Sequence, residues 1–489
     1  MSEITLSFEA ADGEVFGDIL SKRPARRERI KVGLLGVAYF EYWRMFSEKF
    51  KEEILSDLQR VANRLAHDFE VVYPCVVDTL DTADQAGKVF AESGLDLLVV
   101  VEGTYTPDYI SMQAIDYIPN VPVIMFTTQV GENISPQDNY ETVMRNSALI
   151  GTAQLSGTFV KMGRKCDIVV GSIGEERPYQ EIFRLGRVRQ VAARLRQVNI
   201  GVVGHVFRGM FDLENDKTKI RGSLGPNVIY VELSHMLKIW EAVPDTETWT
   251  LVESLMSRFR LKGPGKDDLY RSCRVAIAME GLVERLRLDA LCFLGQHYIE
   301  RHTGAPARLG ASLMLEKGKY LVASEGDLAG LAMMHAMYWL TGNSPLQAEW
   351  GQYDAAHNAL FMVGHGVASP ALAGGDDRIT LTGAPEEWGF QGSGVNMQFI
   401  LKPGPVTMGH LLDAKAGWQM LIAGGEALEY PCLPCGEIHA LVKVDRPVKE
   451  FLVEIQRQGV SHHAVIVHGD VRKDLELLAS VLGIRSFTV

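Results

Sequence analysis

The chain has 489 residues, with 49 Lys+Arg against 61 Asp+Glu and a formal net charge of -12. With 47% hydrophobic and 22% charged residues it is globular, neither fibrous nor disordered. The acidic balance argues against nucleic acid or an anionic membrane surface as main partner, because both need clustered cations.

Six scattered cysteines exclude a disulfide-built scaffold in a chain this long and point to the reducing cytoplasm. Residues 1–18 alternate acidic and apolar side chains, without the basic start and apolar core of a signal peptide. Continuous apolar runs predict buried strands at 30–37, 95–101 and 121–126, with further strands at 70–73 and 167–170. Helical periodicity predicts helices near 45–68, 83–93 and 142–162. Strands alternating with helices of this length imply a doubly wound parallel sheet. No G-x-G-x-x-G lies at its turns, so a dinucleotide site has no support.

A second α/β unit follows. A basic helix (179–197) leads to a strand at 198–203, the turn 204–210 and a strand at 228–231. Charged helices at 246–260 and 266–287 precede strands at 290–294 and 319–323, and the latter runs into a helix at 325–340. The uncharged stretch 328–348 is too short in its apolar part for the ~20 residues of a membrane span, and reads as a buried helix. After Pro345 short strands at 360–363, 378–381, 394–400, 405–412, 418–423 and 440–444 alternate with Gly- and Pro-rich turns, and a helix at 472–482 follows. The predicted fold is therefore two doubly wound parallel-sheet α/β domains, 1–172 and 173–345, followed by an antiparallel β-barrel-like domain, 346–489.

Two glutamates and two histidines stand at chemically suggestive places. Glu325 follows a strand and falls in the first turn of a helix capped by Ser324, at the carboxyl edge of a sheet where open α/β folds bind ligands. Glu349 follows the Asn343-Ser344-Pro345 turn as a loop carboxylate, beside a wall of Trp350 and Tyr353. His365 lies between Gly364 and Gly366 at the end of an apolar strand. His462 and His463 enter another strand, with His468 at its far end. Each alone has an ordinary structural reading. Together, carboxylates and imidazoles suit Mn²⁺ or a similar divalent ion. Cys432 and Cys435, with His439 nearby, offer half a zinc site; no second C-x-x-C exists, and Pro434 marks a rigid turn. Met333, Met334 and Met337 read as core filling. Neither a G-x-S-x-G elbow nor a P-loop occurs.

Three stretches read in order carry a family resemblance. The first is Gly310-Ala311-Ser312-Leu313-Met314-Leu315 followed by Ala323-Ser324-Glu325-Gly326-Asp327. The second is Ala348-Glu349-Trp350 followed by Gly364-His365-Gly366. The third is Ser461-His462-His463-Ala464 followed by Leu477-Leu478-Ala479-Ser480-Val481-Leu482. They resemble the L-fucose/L-arabinose isomerase family of metal-dependent aldose–ketose isomerases. The resemblance implies Mn²⁺ held by Glu325, Glu349, His365 and His463. It also implies a cis-enediol route in which the two glutamates shuttle protons. Gln296, His297 and His462 would then contact the sugar. A trimer or hexamer is implied, in which a neighbour's Tyr39 and Phe40 form a lip over the site. Departures at 36–43 and 292–302 leave the sugar open among L-arabinose, L-fucose and modified hexoses, anionic ones included. A non-catalytic sugar binder, or a metal-dependent sugar epimerase or hydrolase, are the competing readings.

Overall fold

A computed structural model describes residues 29–489 except 206–208, 294–295, 385 and 387–390. Residues 1–18, the middle of the turn 204–210 and Leu294 therefore lie outside the described residues, as does the side chain of Gln296. The described residues divide into two compact units, 29–190 and 191–489, parting within the helix Glu176–Leu195.

The first unit is built on five parallel strands: β1 (Lys31–Val37), β2 (Glu70–Val72), β3 (Leu97–Glu102), β4 (Val123–Gln129) and β5 (Asp167–Ser172). Their order, β2-β1-β3-β4-β5, is doubly wound, with its switch point between β1 and β3. The apolar runs seen in the sequence are buried here on both faces, as in any parallel sheet covered by helices. One predicted helix, 142–162, is two: Tyr140–Arg145 and Ala148–Lys161. The break is local side-chain competition for the backbone. Asn146 Oδ1 accepts from Val130 N at 2.9 Å, and Ser147 Oγ accepts from Tyr105 N at 2.8 Å.

In the second unit four parallel strands form the sheet β10-β9-β6-β7, from β6 (Asn199–Val203), β7 (Asn227–Val231), β9 (Ala290–Phe293) and β10 (Leu321–Ser324). Beyond it lie β11 (Leu346–Asp354), β12 (Ala359–Gly364), β15 (Gly404–Ala414), β16 (Gly417–Ala427), β17 (Ile438–Val444) and β18 (His463–His468). They run β15-β18-β11-β12-β17-β16, and β16 pairs back on β15, so the sheet closes into an antiparallel barrel. A last strand, β19 (Arg485–Thr488), adds parallel to β16. A small sheet joins β13 (Thr380–Gly383) and β14 (Val395–Gln398) to β8 (Arg260–Lys262), a strand the sequence reading missed along with β11, β19 and the helix Val448–Arg457.

The helix Leu328–Thr341 is buried along most of its length because it packs between the central sheet and the barrel. That position explains its apolar character all round. Among the described residues no helix is long and apolar enough to cross a membrane. Met333 and Met337 do fill the core, and their ends pack against Gly409 on β15, where a Cβ would also stand 2.8 Å from the backbone Leu421 O.

At the end of β3 the carboxyl of Glu102 is almost wholly buried, and burial raises its pKa well above the usual range. A carboxyl protonated in the fold and ionised in the unfolded chain weakens stability as pH rises above the unfolded value. Glu102→Gln is expected to leave Tm unchanged near pH 4 and to raise it at pH 8 by roughly 2–4 °C, the shift per kcal/mol for a unit of this size. Calorimetric melts at the two pH values check it.

Candidate metal centre

The centre lies where the carboxyl end of β10 meets the outer face of the barrel. Barrel residues Leu346, Ala348, Ala464 and Ile466 point into the core. The alternate positions Gln347, Glu349 and His463 therefore face outward, by the period of two along a strand. Glu349 is thus a strand residue of β11, not the loop residue expected from sequence. Glu349 pairs directly with His463 across β11 and β18, which puts their side chains on one face.

Glu325 also differs from expectation. It is not in the first helical turn, and Ser324 is not the cap. Asp327 caps the helix, accepting from Gly330 N at 2.7 Å. Glu325 occupies the turn before it with φ 61, left-handed backbone that a non-glycine residue adopts at a cost of order 1–3 kcal/mol. This turn aims the carboxylate away from the helix axis and toward the barrel. Ser324 is held instead by Gln347, whose Oε1 accepts from Ser324 N at 2.8 Å. His365 follows β12, as its glycine-flanked position suggested. Gly366 has φ 63, and a Cβ there would fall 1.6 Å from Asn396 Oδ1, so the turn presenting His365 requires glycine.

One donor atom from each of Glu325, Glu349, His365 and His463 lies within 4.8 Å of the others. His365 Nε2 is 2.8 Å from Glu349 Oε1 and 3.5 Å from Glu325 Oε1. His463 Nε2 is 3.1 Å from Glu325 Oε2. Burial by itself raises the Glu325 carboxyl, but hydrogen bonds from His462 and His463 and the charge on His365 hold it far below the usual range. Glu349 is lowered as well, against burial, by His365. Burial opposes charge on His463, yet Asp327 and Glu325 outweigh it and push the imidazole up to about 10. Both carboxylates are thus held ionised, the form in which they ligate metals or accept protons.

Behind the four sits a buried network that the sequence reading did not assign. Asp327 Oδ2 accepts from His463 Nδ1 at 2.9 Å, His410 Nε2 at 3.0 Å and Gln347 Nε2 at 3.2 Å. The ionised carboxylate can only accept, so it fixes the proton of His463 on Nδ1 and leaves Nε2 facing the other donors. Gln347, two residues before Glu349, was legible from strand alternation once β11 is recognised. His410, alone in an apolar strand, carried no signal.

The expected sugar contacts are placed unequally. His462 Nδ1 lies 2.6 Å from Asp212 Oδ2, and its Nε2 is 3.6 Å from Glu325 Oε2. A cavity of about 510 Å³ beside it is lined by Asp212, Trp350, Gln352, Tyr353, Ser461 and His462. Trp350 and Tyr353, expected as a wall beside the Glu349 carboxylate, line this cavity, whereas Glu349 itself does not. His297 is half-buried in the helix Gln296–Thr303 that follows β9, and is not among the four clustered donors. Tyr39 and Phe40, in the first unit, meet edge-to-face at 5.1 Å in the turn after β1. His468 is structural, its Nε2 2.9 Å from Lys402 O. His439 accepts from Leu433 N at 3.0 Å and bonds Glu437 O through Nδ1, so the Cys432–Cys435 segment is a hydrogen-bonded turn. All six cysteines are free thiols.

No protein-family model matches the chain. It is 25% identical over 308 residues to a sulfoquinovose isomerase of Alkalicoccus urumqiensis, covering 62% of this chain and 68% of that protein. Identity is 22% over 344 residues to the sulfoquinovose isomerase of Priestia aryabhattai, covering 70% and 76%. An L-arabinose isomerase of Aeromonas salmonicida (strain A449) is 21% identical over 406 residues, covering 79% of each chain. The chain is a distant relative of the arabinose/fucose isomerase-like aldose–ketose isomerases. This relationship to sugar isomerases supports an enzyme.

Asp327→Ala would leave two buried imidazoles and an amide without their acceptor. Stability is expected to fall by about 3–5 kcal/mol, the cost of breaking a buried charged pair on one side. Denaturant unfolding of the variant measures it, with Asp327→Asn expected to lose less.

Proposed function

We propose that the chain is a divalent-metal-dependent aldose–ketose isomerase with Glu325, Glu349, His365 and His463 as ligands and Mn²⁺ as the usual ion. The observation that carries this reading is the convergence of these four donors, from one sheet edge and three barrel strands or their ends, within 4.8 Å. Two carboxylates and two imidazoles are a donor set suited to such an ion. When bound, the ion supplies polarisation of the two adjacent sugar oxygens and offsets the charge that develops on them.

The protein's own groups then account for the proton transfers. Isomerisation takes a proton from C2 and returns one to C1, through a cis-enediol. Glu325 and Glu349, both held ionised, are the acceptors available for the first step, and the protonated carboxyl is the donor for the second. Asp327 and Gln347 position His463 and the turn bearing Glu325. His462, braced by Asp212 and bordering the cavity, is the leading contact for a sugar hydroxyl; Gln296 and His297, at the carboxyl edge of the central sheet, are secondary candidates. The names of the relatives put sulfoquinovose and L-arabinose first among substrates, ahead of L-fucose and other modified hexoses. We place the enzyme in the cytoplasm as a homo-oligomer, with Tyr39 and Phe40 of a neighbouring copy as the lip.

The test is an aldose panel incubated with Mn²⁺ in D₂O and followed by NMR. A ketose carrying deuterium at C1 is expected. Sugar binding by calorimetry without ketose would indicate a binding protein, and a C-2 epimer or a cleaved product would indicate the epimerase or hydrolase reading. Glu325→Gln and Glu349→Gln are each expected to lower kcat by about 10³-fold or more with the fold intact by circular dichroism. His462→Ala is expected to raise KM about tenfold with Mn²⁺ affinity unchanged. Mn²⁺ at 100 times its Kd should add about 2.7 kcal/mol to the unfolding free energy, and chelator should remove it.

A further inference from the structure

Alternation along β11 would carry the outward face from Glu349 to Gly351 and Tyr353. The ladder with β12 does not follow it. Glu349 pairs with Val363 and Trp350 with Met362, but the next pair is Gln352 with Phe361. Two residues of β11 therefore stand against one of β12, a bulge whose extra residue is Gly351. A Cβ at Gly351 would lie 2.9 Å from Phe361 O, so the bulge leaves no room for a side chain there.

The bulge changes which side chain continues the Glu349 face. Directly paired residues share a face of a sheet. Val363 and Phe361 alternate with Met362 and Leu360, which belong to the barrel core. Gln352 thus stands on the outward face with Glu349, ~7 Å further along the ladder.

The cavity beside His462 opens at this step. Gln352 forms part of one wall and Gln456, on the helix Val448–Arg457, part of another. The cavity comes closest to the four clustered donors at Trp350, the residue after Glu349, and at His462, whose Nε2 is 3.6 Å from Glu325 Oε2. Its volume of about 510 Å³ is that of a small-ligand pocket. A carbon chain held at its reacting end by the four donors has this space to extend into.

The polar groups of the cavity differ in how far they are committed. Asp212 Oδ2 accepts from His462 N and Ser461 Oγ, each at 3.1 Å, besides bonding His462 Nδ1. The side-chain amide of Gln352 is exposed and hydrogen-bonds no described residue. An amide offers both donor and acceptor, a pairing that a hydroxyl matches.

We propose that Gln352 is a specificity-determining residue, set on the Glu349 face by the Gly351 bulge to hydrogen-bond a hydroxyl on the substrate's carbons beyond C3, a role that rests on the isomerase reading of the four donors. The ligand class is the polyhydroxyl chain of a pentose or hexose, with its carbonyl end at the donors and its far end in the cavity.

Calorimetry with an alditol, which keeps the hydroxyls of the aldose and cannot isomerise, measures this contact apart from turnover. With Mn²⁺ present, Gln352→Ala is expected to weaken alditol binding about tenfold, the scale of one hydrogen bond, while Mn²⁺ affinity stays unchanged. The same variant should raise KM about tenfold for the best aldose of the panel, with kcat held within about twofold. Analogues of that sugar deoxygenated at C4, C5 and C6 in turn locate the contact, and with one of them wild type and variant should bind equally. Alditol binding indifferent to Gln352→Ala would overturn the proposal. So would a fall in Mn²⁺ affinity, which marks a structural role, or a penalty that persists at full size in all three analogues. A chain that binds alditols with this dependence yet converts no aldose would keep the subsite and remove the isomerase reading instead.

Discussion

A single buried carboxylate ties the second unit together at its chemically important point. Asp327 caps the helix that fills the space between sheet and barrel, and its other oxygen receives side chains from β11, β15 and β18. Fully buried and ionised, it would be costly unless satisfied, and three side-chain donors with a helix N-terminus satisfy it. Burial works against its charge, and His410 and His463 overcome it. The helix start, the orientation of His463 and the seating of the barrel on the sheet thus share one residue. Glu325, two residues earlier, sits in a left-handed turn and meets the same imidazole, His463, through its other ring nitrogen.

The division of labour around it follows from geometry. The sheet contributes one carboxylate from a turn, where backbone strain sets its direction. The barrel contributes Glu349 and His463 from paired strands, where the ladder register fixes their separation. A closed barrel is a rigid support, since none of its six strands has a free edge along which to slip. His365 completes the set from the Gly-His-Gly turn, packed so closely on Asn396 that the turn has no room for a larger residue.

Much of this was legible in the sequence, for identifiable reasons. The parallel strands were readable because burial on both faces leaves uninterrupted apolar runs, as at Leu97–Glu102. Glu325, Glu349, His365 and His463 were readable only jointly, by order of motifs, because no one of them has a distinctive local pattern. The strand β11 was missed because Pro345, Gly351 and its polar outer face mimic a loop, and with it went Gln347 and the true setting of Glu349. The helix start was placed three residues early because Ser324 has the chemistry of a cap. Only the tertiary bond to Gln347 shows that it is used elsewhere. His410 and Asp327 meet across 83 residues, a pairing that no local pattern encodes.

The distances along the chain between these partners have a consequence for folding. His463 meets Glu325 across 138 residues and Asp327 across 136, and the strand β8 that completes the small sheet comes from before the whole barrel. Contacts of such separation close late, because the intervening chain must already be ordered for them to form. The centre is therefore a report on completed folding. During synthesis Glu325 and Asp327 lack His463 until the chain has grown by a further 138 and 136 residues. Chains interrupted anywhere in the barrel expose a sheet edge and an apolar helix instead of a site, which makes them natural substrates for chaperones and proteases.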